Sequence, residues 1–270
     1  MQDFQDKGAF VTGAASGLGF ALARALGRAR MKVMLADIDV DALENAVAEL
    51  KKDQISVRGV ECDVSDRVSV QRAAAETVSA FGKVHVVCSN AAVFSGGALE
   101  RITPGDWDWV LGVNLMGFGY VVQAFLPHIK AHEQGGHIVA TASLTAMLSM
   151  PGIGPYNATK AGILALSQTL AAELSGSSIG VSVVCPGIMR TRIAESARNR
   201  PKRFGEPTAG SQGAMNTFAS LVSSGMDPDE VAGKVMQGIK KNQLYIFTHP
   251  EWRSALEEYF QGILAAYPTA

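Results

Sequence analysis

The chain has 270 residues, of which 47% are hydrophobic and 18% charged. That is enough apolar material for a large core and too much for intrinsic disorder. The 28 glycines show no three-residue period, which excludes collagen, and a formal charge of −1, from 24 basic and 25 acidic side chains, gives no net field to attract nucleic acid or an anionic membrane.

Taken in chain order, short apolar runs alternate with helical patterns. Ala9–Thr12 reads as a strand and Leu18–Arg30 as a helix. Lys32–Asp37 is the next strand, followed by a charged amphipathic helix over Val40–Lys52. Val57–Val60 and Val84–Cys88 are strands on either side of a helix over Ser65–Phe81. A long helix is predicted over Thr103–Lys130, a strand over His137–Thr141, a helix over Tyr156–Leu174 and a buried strand over Val181–Val184. Leu244–Phe247 is the last strand. Pro250 stands at a plausible first helical position of a final helix reaching Ala266. The stretch 188–226 is rich in Arg, Ser, Gly and Pro, breaks the rhythm, and reads as an insertion with one or two helices.

The β-α alternation implies parallel strands joined by crossover helices. Continuously apolar strands such as Val181–Val184 suit a sheet covered on both faces. With no repeat and no long linker, residues 1–270 read as one domain, although ~150 residues per domain is the usual prior. Cys62, Cys88 and Cys185 are scattered and odd in number, so neither a disulfide framework nor a zinc spacing is expected, and no metal. The opening residues show no targeting segment. No run of ~18 apolar residues stands out, so no membrane span is expected. A cytoplasmic protein is the simplest expectation.

The first chemical signal is Thr12-Gly13-Ala14-Ala15-Ser16-Gly17-Leu18-Gly19, which follows the first strand and opens a helix. Glycines let backbone turn sharply and approach a pyrophosphate. The helix N-terminus offers free N–H groups and partial positive charge. The spacing is Gly-x-x-x-Gly-x-Gly rather than the commoner Gly-x-Gly-x-x-Gly, and a structural glycine turn is the plain alternative. Asp37 strengthens the cofactor reading: it ends the next strand, 37 − 17 = 20 residues after Gly17, where an acidic group accepts from an adenosine ribose. Its alternative is a helix cap, for which Asp39 is better placed. Asp37 would repel a 2′-phosphate, and neither Ser16 nor Ile38 brings a compensating cation, so NAD is expected over NADP.

The second signal is Tyr156-Asn157-Ala158-Thr159-Lys160. Residues i and i+4 share a helix face, and a lysine cation beside a phenol lowers its pKa from ~10. That suits acid–base work on an alcohol or carbonyl oxygen. Ser143, just after the His137–Thr141 strand, lies at the carboxyl edge where α/β ligands bind. Its hydroxyl can reach the same oxygen, though turn or cap chemistry is the commoner use of such a serine.

Together Thr12–Gly19, Asp37, Asp63-Val64, Asn90-Ala91, Asn114, Ser143, Tyr156, Lys160 and Pro186-Gly187 resemble the short-chain dehydrogenase/reductase family over essentially the whole chain. The resemblance implies a Rossmann-type, doubly wound, mainly parallel sheet of seven strands with helices on both faces. It implies Tyr156 as the acid/base, with Lys160 modulating its pKa and binding the nicotinamide ribose, and Ser143 polarising the carbonyl. Asn114 is implied to hold a water in the proton relay; its plain alternative is a helix-kinking polar residue. Asp63 and Val64 would contact adenine, and Asn90, with Ala91, would steady the central sheet beside the cofactor. Ile188 and Thr191, after Pro186-Gly187, would meet the carboxamide. One departure is Ala92, where the family more often has glycine.

The substrate pocket is expected to involve Val93, Phe94, Ser143, Thr145, Met147, Met189 and Ile193, mostly apolar positions flanking the motifs. The insertion, with Arg190, Arg192, Arg198, Arg200, Lys202 and Arg203, reads as a lid, a solvated surface, or a site for an anionic substrate group. Met1–Phe4, Arg192–Arg198 and Tyr245–Phe247 are similar to bacterial NAD-dependent dehydrogenases of aryl-ether benzylic alcohols from lignin breakdown. The expected activity is thus NAD-dependent interconversion of a hydrophobic, aryl-substituted secondary alcohol and its ketone. The rival from another class is a catalytically idle NAD-binding module for sensing or assembly. The resemblance also implies a homo-oligomer, tetramer or dimer, through the two long helices.

Overall fold

The computed structural model describes residues 1–208 and 212–268. Seven strands among them form one sheet: β1 (Gly8–Thr12), β2 (Lys32–Asp37), β3 (Val57–Glu61), β4 (Val86–Ser89), β5 (Gly136–Thr141), β6 (Ile179–Cys185) and β7 (Tyr245–Phe247). Their order is β3-β2-β1-β4-β5-β6-β7 and every pairing is parallel. The parallel geometry follows from helical crossovers, which return the chain to the same end of the sheet.

Strand side chains alternate between two cores. Phe10, Val87, Ile138 and Val183 face one layer, built on α3 (Arg67–Phe81), the helix 104–131 and α6 (Gly154–Glu173). Ala9, Val11, Val86, Val139 and Val184 face the other, built on α1 (Gly17–Arg28), α2 (Val40–Lys52) and α8 (Pro228–Lys241). Because both faces are covered, β1 and β5 are buried along their whole length. After β3 the chain passes from one half of the sheet to the other. The crevice at the carboxyl ends of β1 and β4 is therefore the switch point where ligands of such sheets bind.

The long helix differs from its expected form. It runs as α4 (Pro104–Val110), a π-helical turn (Leu111–Met116) and α5 (Gly117–Ala131). By length and composition alone Pro104–Ala131 could cross a membrane, the one such helix among the described residues. Here Trp109, Val110, Phe118, Val121, Phe125 and Ile129 are buried in the core instead. No helix is expected between the insertion and the last strand, yet α8 stands there. It is capped by Asp227 accepting from Asp229 N–H, has Pro228 in its first turn, and stops at Asn242 in the left-handed region (φ 52°). The final helix starts later than expected: Pro250–Trp252 is a 3₁₀ turn and α9 spans Arg253–Ala265.

The insertion is closed at its base. Met189 and Met226 form a bridge, with Arg190 N–H donating to Met226 O at 2.9 Å and Met226 N–H to Ile188 O at 2.9 Å. Between them lie 3₁₀ turns over Ile193–Asn199 and Lys202–Phe204, then α7 (Gln212–Ser223). Residues 209–211 of this stretch lie outside the described residues.

Candidate active site

A single long cleft runs across the carboxyl ends of β1, β4, β5 and β6. It is lined from Gly13, Asp37 and Asp63 at one end to Ile153, Tyr156, Phe218 and Trp252 at the other.

The glycine end is a backbone construction. Gly13 and Gly17 sit in the left-handed region, at φ 63° and 54°. A Cβ on Gly13 would stand 2.8 Å from Ala91 Cα, and one on Gly19 2.0 Å from Gly13 O. Gly19 therefore serves behind the cleft wall rather than on it, letting α1 close against the β1 turn. Ser16 is the N-cap of α1 but makes no side-chain capping bond, and no acidic residue occupies the first turn. The first-turn amides thus lack the usual protein partner, as suits an anionic group placed there. A dinucleotide suits this cradle: a tight glycine turn with no room for a Cβ at Gly13 or Gly19, ending on an uncapped helix terminus.

Asp37 holds the loop from the next strand. Its Oδ2 accepts from Ala15 N–H at 3.0 Å and its Oδ1 from Asp39 N–H at 3.1 Å. Asp39, not Asp37, caps α2, accepting from Ala42 N–H. Burial pushes the Asp37 carboxyl up from its ordinary value, while the Ala15, Asp39 and Ile38 amides pull it back. Asn90 binds the central strands together. Its N–H donates to Thr12 Oγ1, its Nδ2 to Thr12 O, and its Oδ1 accepts from Thr141 Oγ1.

At the other end Ser143, Tyr156 and Lys160 converge. Ser143 follows β5 and also caps the short turn Leu144–Ala146, accepting from Thr145 N–H at 3.1 Å. Tyr156 and Lys160 lie one turn apart on α6, the lysine Nζ 5.4 Å from the tyrosine ring centre and donating to Thr141 O at 2.8 Å. Burial pushes Tyr156 up to about 12, with the Ser143 hydroxyl alone opposing. Burial likewise brings Lys160 down to about 7, with Cys185 opposing.

Asn114 sits in the π turn, 2% exposed and behind the cleft wall. Its Oδ1 accepts from Val93 N–H, and its Nδ2 donates to Val93 O and Thr159 Oγ1. Thr159 in turn donates to Tyr156 O. The side-chain amide thus braces the turn between Tyr156 and Lys160. Thr159, which the sequence reading passes over, is the other half of that brace.

Most predicted positions meet in the cleft: Ser16, Leu18, Ile38, Val64 and Ala91 at the glycine end, and Pro186, Gly187, Ile188 and Thr191 opposite them. Val93, Thr145, Met189 and Ile193 line the far end. Met147 does not; it packs against the core of the α6 layer. Its place on the wall goes to Leu148, Met150 and Ile153. Phe94 is 1% exposed and acts from behind, edge-on to Tyr156 at 5.5 Å and stacked on Phe218 at 4.4 Å. Phe218, on α7, and Trp252 line the cleft without any local sequence signal.

The arginines of the insertion are largely engaged within the protein. Arg190 pairs with Asp227, Arg192 with Glu195, Arg200 with Asp106 and Arg203 with Asp63. Arg198 donates to the carbonyls of Arg192 and Glu195. Arg200, at 4% side-chain exposure, is core rather than solvated surface.

Known proteins agree with this architecture. The family profile for short chain dehydrogenases matches residues 7–202. The C alpha-dehydrogenase of Sphingobium sp. (strain NBRC 103272 / SYK-6) is 40% identical, over 98% of this chain and 87% of its own. Among solved structures, a short chain dehydrogenase/reductase from Burkholderia phymatum in complex with NAD superposes with a TM-score of 0.95, at 37% identity and covering 100% and 99% of the two chains. The apo form of LigD from Sphingobium sp. strain SYK-6 gives a TM-score of 0.84 at 33% identity, covering 99% and 100%. The chain belongs to the short chain dehydrogenase family.

Proposed function

We propose that the protein is an NAD-dependent oxidoreductase that interconverts a hydrophobic, aryl-substituted secondary alcohol and its ketone. The observation that carries this reading is the meeting of Ser143, Tyr156 and Lys160 at the apolar end of a cleft whose other end is the glycine cradle. The narrower resemblance read from the sequence and the C alpha-dehydrogenase relative support the aryl carbinol class. Phe218, which lines the cleft and is backed by Phe94 beside Tyr156, gives an aromatic substrate a matching face.

When bound, NAD supplies the acceptor for the hydride that leaves the carbinol carbon. Gly13, Ser16, Gly17 and Leu18 hold its pyrophosphate with the α1 terminus, and Gly19 shapes that turn. Asp37, with Ile38, takes the adenosine ribose, and its negative charge selects against a 2′-phosphate. Asp63 and Val64 take adenine; Ile188 and Thr191 take the carboxamide. Tyr156 Oη gives its proton to the ketone oxygen in reduction and, as the phenolate, takes the hydroxyl proton back in oxidation, while Ser143 Oγ donates to the same oxygen and fixes its position. Lys160 is held by Thr141 O and lies against the tyrosine ring. Asn114 acts at one remove, keeping Val93 and the Tyr156–Lys160 turn in place.

Tyr156→Phe removes the proton acceptor and keeps the ring. Steady-state kcat should fall by ~10²–10⁴-fold with NADH binding intact. A variant keeping more than about a tenth of wild-type kcat would overturn the assignment.

A further inference from the structure

The segment 200–205 is seated on α4 through Arg200 and the Phe204 backbone. The Arg200 guanidinium donates to Asp106 Oδ1 at 2.6 Å, Phe204 O at 2.7 Å and Gly205 O at 2.8 Å, and lies 4.8 Å from the Trp109 ring centre. Contact with the helix is direct: a Cβ on Gly105 would stand 2.1 Å from Phe204 O. Asp106 is itself fully buried and also accepts from Thr103 Oγ1 and Thr208 N–H.

This seat delivers Arg203 to the end of β3. Its Nη2 donates to Asp63 Oδ2 at 2.6 Å and to Ser65 Oγ at 2.8 Å. The other carboxylate oxygen, Oδ1, accepts from Ser65 N–H at 3.0 Å and Ser65 Oγ at 2.6 Å. Burial would raise the Asp63 carboxyl, but the Ser65 and Arg203 bonds outweigh it and hold it below the usual range, as an anion. Asp63 and Val64 line the cleft, as do Arg198, Asn199 and Pro201 of the insertion, whereas Arg203 does not. The insertion therefore roofs this end of the cleft, and its arginine grips the carboxylate from outside the open space rather than filling it.

We propose that Arg203 is a positioning residue for cofactor recognition: carried by the insertion, it fixes the Asp63 carboxylate toward the adenine base and ties the insertion to the adenosine half of the cofactor. The proposal rests on the dinucleotide reading above. A carboxylate already held in one rotamer, charged and with its lone pairs directed, loses little freedom when it accepts an adenine N–H. Since Ser65 also holds Asp63, and the Arg203 side chain is half exposed, the loss on removing the arginine is moderate.

The test uses the full-length protein and its variants Arg203→Ala, Arg203→Lys and, as a surface control, Lys202→Ala. KM for NAD, inhibition by AMP and inhibition by nicotinamide mononucleotide are compared. Arg203→Ala should raise KM for NAD and the AMP inhibition constant together, by about three- to tenfold. Nicotinamide mononucleotide inhibition and kcat at saturating NAD should stay within about twofold. Arg203→Lys should recover part of the loss and Lys202→Ala should match wild type. Unchanged or tighter AMP binding in Arg203→Ala would overturn the proposal, and so would equal weakening of both half-cofactors, which marks a general disturbance. Wild-type protein that binds NADPH but not NADH, while AMP binding still falls in Arg203→Ala, would overturn the NAD reading and leave the Arg203 grip standing.

Discussion

At the glycine end of the cleft an added methyl group has nowhere to go: Cβ atoms on Gly13 and Gly19 would meet backbone at 2.8 and 2.0 Å. At the aromatic end the wall is made of side-chain tips, Leu148, Met150, Ile153, Met189 and Phe218, delivered by separate stretches of chain. Backbone packed on backbone cannot yield, whereas methionines and leucines repack at modest cost. The difference teaches where one fold can vary. The cradle is fixed by sterics and suits a ligand common to the family; the aromatic end can be retuned without disturbing it. The two ends meet at Tyr156, whose turn is braced from below by Asn114 and Thr159.

Two substitutions break this comparison in turn, the larger effect first. Gly19→Ala should gain up to about 1 kcal/mol of helix propensity. The overlap with Gly13 O opposes it, and overpacking costs ~1–3 kcal/mol even where side chains can adjust. The clash wins, because the atom met is backbone. NADH affinity should fall by at least about tenfold in a fluorescence titration, and the thermal midpoint should drop. Unchanged affinity with a raised midpoint would show that the cradle can yield after all.

Phe218→Ala tests the other end. Losing a large buried aromatic contact is worth ~1.5–3 kcal/mol at full burial, and Phe218 is only partly buried. KM for an aryl carbinol should rise by about tenfold, while KM for NAD and for a small aliphatic alcohol should change by less than about twofold. Equal losses for aryl and aliphatic substrates would mean that the ring supports the fold and does not read the substrate.

The same contrast explains what the sequence disclosed. Strand β2 and helix α2 fall where the residues predict, because their signals are local: an apolar run, then Asp39 capping a helix whose apolar residues recur at Leu43, Ala46 and Leu50. The cradle is legible because only glycine tolerates its backbone. Helix α8 carried its own signals in Asp227, Pro228 and Asn242, but it follows directly on the irregular insertion, which masks its start. The π turn around Asn114 has no distinctive spacing; it shows only as a polar residue inside an apolar helix. Phe218, Trp252 and the Arg203–Asp63 pair are products of long-range closure. Arg203 lies 140 positions from its partner, and no periodicity reports that. The arginine run illustrates the limit: its composition suggests a lid, solvated surface or an anionic ligand, and Arg190, Arg192 and Arg203 do keep exposed side chains beside Asp227, Glu195 and Asp63, but nothing in the composition announces that Arg200 is buried on Asp106. The tyrosine pKa illustrates a second limit. Lysine spacing is visible in sequence, but the burial that raises Tyr156 and lowers Lys160 is not.

The most direct measurement is an initial-rate screen of secondary alcohols, from small aliphatic to aryl carbinol, with NAD and NADP side by side. The bulky aryl carbinols should turn over with NAD, with a clear preference for NAD over NADP at equal concentration. No turnover with either cofactor despite measurable NADH binding, or a preference for NADP, would contradict the proposed function.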